Sequence, residues 1–209
     1  MTGRRACLTG LLLLMAVAPA RAQSSLGARG YVTFGRVFFT SGDSFEAVTG
    51  ERNALIAGVG GQVTGLWKGL FVDGAFSRQT LDGERVFVAN GDVFPLGIPL
   101  EVRLEPLDAA IGWRFTTGGV ASYVGIGMTS IHYTEAADFA QPGDDVDERK
   151  SGAFVLAGVD VPLGRWVSVG GEFRYRSVAG VLGDGGVSAV YGDDQLGGVS
   201  YAVRVAVGR

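Results

Sequence analysis

Residues 166–178 read Trp-Val-Ser-Val-Gly-Gly-Glu-Phe-Arg-Tyr-Arg-Ser-Val. Val167, Val169, Gly171, Phe173 and Tyr175 alternate with Ser168, Gly170, Glu172, Arg174 and Arg176. A period of two sends one set to each face of a strand, here one apolar and one polar. Glu172, Arg174 and Arg176 share the polar face, where opposite charges can pair.

The same alternation recurs along the chain. Val199, Tyr201, Val203, Val205 and Val207 oppose Ser200, Ala202, Arg204 and Ala206. Val155, Ala157, Val159 and Val161 stand against Asp160, and Leu55, Ala57, Val59 and Val63 against Gly58, Gly60, Gln62 and Thr64. Leu70–Ser77 places Val72 and Phe76 opposite Asp73, and Val120–Tyr133 gathers Val124, Ile126 and Met128 on one face. Arg29–Phe39 is strand-like without assignable faces. Leu100–Phe115 opens with Leu100, Val102 and Leu104 against Glu101, Arg103 and Glu105, then changes phase at Pro106. Proline lacks the N–H a ladder needs, so this change predicts a bulge. The total is eight strands.

The connections alternate in length. Lys68-Gly69, Thr116–Gly119 and Pro162–Arg165 are tight turns rich in glycine and proline. Thr40–Arg52, Gln79–Pro99, Glu135–Ser151 and Val178–Gln195 read as long polar loops. Short turns at one end and long loops at the other fit an all-β, eight-stranded antiparallel up-and-down transmembrane β-barrel. Glycines inside strands, such as Gly58, Gly60, Gly61, Gly125, Gly127, Gly158, Gly170 and Gly171, suit a tightly curved wall. Gly58-Val-Gly60-Gly61-Gln-Val-Thr-Gly65 has neither the spacing nor the following helix of a dinucleotide site.

The beginning of the chain reads as a cleavable secretory signal over residues 1–22. Arg4 and Arg5 precede the apolar run Leu11–Ala18, and Ala20-Arg21-Ala22 is a small-x-small cleavage site. The run is too short for a spanning helix, which needs about 20 residues. The barrel domain is then 23–209, without the sole cysteine, Cys7, and with 15 basic against 21 acidic residues. That balance disfavours nucleic acid. No disulfide, thiol chemistry or cofactor is implied.

Of the 209 residues, 35 are glycine, 47% are hydrophobic and only 19% charged, yet no second long apolar run exists. Strands with one lipid-facing side account for this composition. Trp67, Trp113 and Trp166 each lie within three residues of a short turn, the placement of an aromatic girdle at one membrane interface. The polar faces predict a lumen charge network of Asp73, Glu101, Arg103, Glu105, Asp108, Arg114, Asp160, Glu172, Arg174, Arg176 and Arg204. An eight-stranded barrel is only wide enough for side chains to fill, so a structural network is expected rather than an open or gated ion path.

With its signal, strand–turn–strand–loop cadence and inward charges such as Glu172-Phe-Arg174-Tyr-Arg176, the chain resembles the small eight-stranded outer-membrane barrels of the OmpA and OmpX type. The resemblance implies outer-membrane location in a Gram-negative envelope, a structural, adhesive or surface-interaction role, and a monomer. Implied partners are outer-membrane lipids and lipopolysaccharide, the barrel insertion machinery, and an extracellular ligand bound by the long loops. Such barrels usually end on an aromatic residue, whereas this sequence ends Val205-Ala-Val207-Gly-Arg209, and no peptidoglycan-binding domain follows the last strand.

Two other readings stand beside this one. Alternation gives no direction, and a soluble lipocalin-like carrier would turn the apolar faces inward around a ligand. A lipid A- or phospholipid-modifying enzyme would need a histidine and a nucleophile; His132 and Ser130, two apart on one strand, share a face. A histidine at the outer rim beside Tyr133 is the simpler interpretation, and no catalytic assignment is made. Asp144, Asp145, Asp147 and Glu148 form an acidic loop without the spacing of a calcium-binding loop, so no metal site is assigned.

Overall fold

The computed structural model describes residues 26–137, 146–180 and 186–209. The proposed signal, residues 1–22, and the acidic pair Asp144 and Asp145 lie outside the described residues. The elements are β1 (Gly27–Phe39), α1 (Gly42–Thr49), β2 (Asn53–Thr64), β3 (Leu70–Ala89), β4 (Asp92–Thr117), β5 (Val120–Ala137), β6 (Val146–Pro162), β7 (Val167–Ala179), α2 (Gly186–Tyr191) and β8 (Gln195–Gly208).

Each strand pairs antiparallel with its sequence neighbours, and β8 closes on β1, so the eight strands form a closed barrel from which the end of the β3–β4 hairpin projects. From Arg29, paired residues run through Gln62, Asp73, Ala110, Gly127, Phe154, Arg176 and Gly198 and return to β1 at Phe39, ten residues further along. A shear of ten over eight strands tilts them by about 40° to the barrel axis.

The direction of the alternation is now fixed. Along the end that carries the short turns (the turn side), apolar residues face outward: Leu107 is 61%, Ile126 64% and Met128 67% exposed. Their polar neighbours Asp73, Asp108 and Asp160 are buried inside. A soluble carrier needs the reverse, so the lipocalin-like reading fails at this half of the wall.

At the other end (the loop side) the wall inverts. On β4 the buried face runs Leu100, Val102, Leu104, Pro106, Asp108 and Ala110 without a break. Pro106 pairs opposite Ile131, and the β3 register is the same on both sides of it. The expected bulge is therefore absent. What changes at Pro106 is the chemistry of each face, not the phase of the strand. Glu101, Arg103 and Glu105, expected in the lumen, face outward: Arg103 pairs with Glu101 at 2.5 Å, and Glu105 pairs with Arg78. Inside, Val37, Phe39, Leu81, Val102, Leu104, Ile131, Val178 and Leu196 form an apolar plug.

Two segments read as loops are strand over most of their described residues. Gln79–Pro99 continues β3 and β4 as a hairpin that turns at Asn90-Gly91, whose φ values of 54° and 86° are those of a two-residue primed turn. A single register irregularity lies between Glu84 and Val86. Glu135–Ser151 likewise extends β5 and β6, with Tyr133 opposite Glu148 and Glu135 opposite Val146. The remaining two carry helices. The α1 segment folds over the plug, with Phe45 stacked on Phe39 at 3.9 Å. Ser44 donates to Asp193 from Oγ at 2.7 Å, and Ser41 donates to the Gln195 carbonyl.

Candidate functional site

The interior of the turn-side half is one connected polar network. At the mouth, Asp160 Oδ2 accepts from Arg29 at 2.9 Å and Arg114 at 2.7 Å, and Arg29 also donates to Ser168. Arg114 reaches Gln62 at 3.3 Å, and Gln62 donates to Asp73 at 3.4 Å. One level in, Tyr31 donates to Asp73 at 2.8 Å and Tyr123 to Glu172 at 3.1 Å. Arg204, with no exposed surface, donates to Tyr123 at 3.0 Å and Glu172 at 3.2 Å. Its guanidinium lies 3.6 Å from the Tyr31 ring centroid and 5.1 Å from that of Tyr123, a double cation–π contact. Higher still, Arg174 bridges Glu172, at 2.7 Å, to Asp108, which Arg176 also holds at 2.6 Å.

Glycine makes room for the two tyrosines. A Cβ on Gly60 would overlap the Tyr31 ring, and one on Gly158 would overlap that of Tyr123. Each ring therefore lies flat on the opposing backbone, its hydroxyl reaching an acid and its face turned to Arg204.

The structure thus brings together Asp73, Asp108, Arg114, Asp160, Glu172, Arg174, Arg176 and Arg204, and excludes Glu101, Arg103 and Glu105. Sequence reasoning put Gln62 on the polar face of its strand without counting it in the network, and missed Arg29, Tyr31 and Tyr123. Arg29–Phe39 mixes Arg29 inside with Arg36 outside, so its charges give no face. Tyrosine has an apolar body and a polar tip, so period counting alone does not place it.

Trp67, Trp113 and Trp166 lie at the turn-side end and are exposed. Trp67 is overlain by Lys68 at 5.1 Å, and Trp166 also borders the mouth of the lumen. Between this level and Pro106, β4 presents Leu107, Ala109, Ile111, Trp113 and Phe115 outward. That stretch spans roughly 26 Å of strand, or about 20 Å of height at the observed tilt.

Ser130 and His132 are on the outer face of β5, just loop-side of Met128. His132 Nε2 is 2.8 Å from Asp147 and Nδ1 is 3.6 Å from Glu105. Both ring nitrogens therefore face carboxylates, in a charged cluster completed by Arg78 on Glu105. Asp147 and Glu148 are consecutive on β6 and point to opposite sides of the wall. Among the described residues no three metal-ligating side chains converge.

No protein-family model and no curated protein matches the sequence. Solved structures do. A major outer-membrane protein from Thermus thermophilus aligns with a TM-score of 0.57 at 12% identity, over 87% of this chain and 99% of that one. Ail, the attachment invasion locus protein of Yersinia pestis, solved in complex with the heparin analogue sucrose octasulfate, aligns at 0.54 and 10%, over 88% and 99%. Neisserial surface protein A aligns at 0.52 and 13%, over 87% and 96%. At these identities the likeness is one of fold: the chain has the architecture of small eight-stranded outer-membrane barrels.

Proposed function

We propose that the chain is an integral outer-membrane protein that holds a folded, water-exposed head above the bilayer for structural or adhesive contact. One observation carries this reading: both faces of the wall exchange chemistry at the level of Pro106. Below it the outside of β4 is apolar and the inside charged. Directly above it Glu101, Arg103 and Glu105 face out over an apolar interior, and exposed Phe87, Phe94 and Leu96 return only on the distal hairpin. Such a wall has lipid outside its lower part and water outside its upper part. The short turns then face the periplasm, and the signal at residues 1–22 supplies export.

The apolar plug and the α1 lid close the lumen from outside, which supports a presenting scaffold over a channel. The four loop-side segments Thr40–Arg52, Gln79–Pro99, Glu135–Ser151 and Val178–Gln195 carry 15 acidic residues against four basic ones, Arg52, Arg85, Arg149 and Lys150. Arg52 is already held by Asp43 at 2.7 Å and Glu46 at 2.5 Å. An acidic head repels a polyanion like the heparin analogue bound by Ail, so its partner is expected to be neutral or cationic, or bridged by divalent ions to lipopolysaccharide. The carboxylates facing His132 support a rim cluster rather than a nucleophile–base pair, and the function proposed has no catalytic step.

Cell fractionation with heat-shifted gel mobility, paired with whole-cell binding to cationic and anionic polymer surfaces, tests this. Outer-membrane recovery, a mobility shift on boiling and preference for the cationic surface are expected. A soluble, non-shifting protein would reject the membrane assignment, and preference for the anionic surface would reject the charge argument.

A further inference from the structure

The turn-side mouth opens into a cavity of about 250 Å³ that the structural network does not fill. Arg29, Arg114, Arg165 and Arg209 line it together with Thr64, Ser168 and one acidic side chain, Asp160. The side chains of Arg29 and Arg114 are only 10% and 9% exposed, and both converge on the same Asp160 oxygen.

The charge count below the apolar plug is unequal. Arg29, Arg114, Arg174, Arg176 and Arg204 face Asp73, Asp108, Asp160 and Glu172, one cation in excess among the described residues. The three deeper arginines are matched by three carboxylates: Arg176 and Arg174 share Asp108, Arg174 and Arg204 share Glu172, and Arg204 lies 4.0 Å from Asp73. The excess therefore falls at the mouth, where two guanidiniums divide one carboxylate and two further arginines, Arg165 and Arg209, line the cavity. Water access there lets an anion enter, and nearly buried guanidiniums bind oxyanions more strongly than exposed ones.

We propose that this mouth binds a small oxyanion of the phosphate class, held by Arg29, Arg114 and Arg165 with Ser168 and Thr64 hydroxyls alongside. Guanidinium forks match tetrahedral phosphate oxygens, and the volume admits one such group with water. Asp160 keeps Arg29 and Arg114 together and limits the occupant to a small anion. In the cell the phosphate is either free or the headgroup of a phospholipid at the same membrane surface.

Isothermal titration of inorganic phosphate into the refolded barrel, in uncharged detergent and chloride buffer, tests the site independently of the membrane reading. Wild type should bind with a Kd of about 1 mM or tighter. R165Q, at an exposed side chain on the β6–β7 turn, should weaken binding about tenfold, and R29Q/R165Q should remove it. Competition by added phosphatidylglycerol identifies the lipid headgroup as occupant; binding without competition identifies free phosphate. Absence of phosphate heat in wild type, or R165Q binding as wild type does, overturns the proposal.

Discussion

Arg204 lies between two tyrosine rings with no exposed surface, tied to Glu172 and lying 4.0 Å from Asp73. A guanidinium so placed is tolerable only because acids and aromatic faces replace water around it. Asp108 has the same role for Arg174 and Arg176. Changing Asp108→Ala leaves two buried cations sharing what remains, and should lower stability by about 3–5 kcal/mol in denaturant unfolding from detergent. The glycine seats make a second residue-scale test. Gly158→Ala drives a methyl into the Tyr123 ring and should cost about 1–3 kcal/mol. Gly171→Ala meets nothing within 4 Å and should change stability by less than about 0.5 kcal/mol.

Strands are where the sequence is most and least legible. Where lipid lies outside, the two faces differ sharply, and β6, β7 and β8 can be oriented as sets from Val155–Val161, Val167–Tyr175 and Val199–Val207 alone. Where water lies on the outside, contrast between the faces falls. Gln79–Pro99 then looks like a loop although its Asn90-Gly91 turn is a hairpin signal. On β4 the contrast does not vanish but reverses at Pro106, so period counting that assumes one surrounding solvent mistakes inversion for a bulge. Such counting puts Glu101, Arg103 and Glu105 in the lumen. Two substitutions read the boundary. Ile126→Arg, on the apolar outer face, should destabilise by about 2–4 kcal/mol in lipid. Ser151→Arg, outward on β6 and opposite Ser130, should change stability by less than about 0.5 kcal/mol. Both are measured by unfolding in lipid vesicles.

At the scale of the whole molecule, the barrel has two solvents and two cores. The charged core is needed where lipid leaves no water for the inward faces, and the apolar plug where the outer wall is wet. The plug and the α1 lid, fastened through Ser41 and Ser44 to the β8 side, also close the lumen. Purified protein in planar bilayers should therefore show no stepwise conductance; steady open channels would mean that the plug does not seal.

The inversion at Pro106 is most directly read by spin labels on single cysteines at Ile111, Ala109, Leu107, Glu105 and Arg103, in a chain whose only native cysteine is Cys7. In lipid bilayers, relaxation by oxygen should dominate at Ile111, Ala109 and Leu107, and relaxation by a water-soluble nickel chelate at Glu105 and Arg103. Chelate access at all five positions, or oxygen dominance continuing through Arg103, would contradict a wall that leaves the membrane at Pro106.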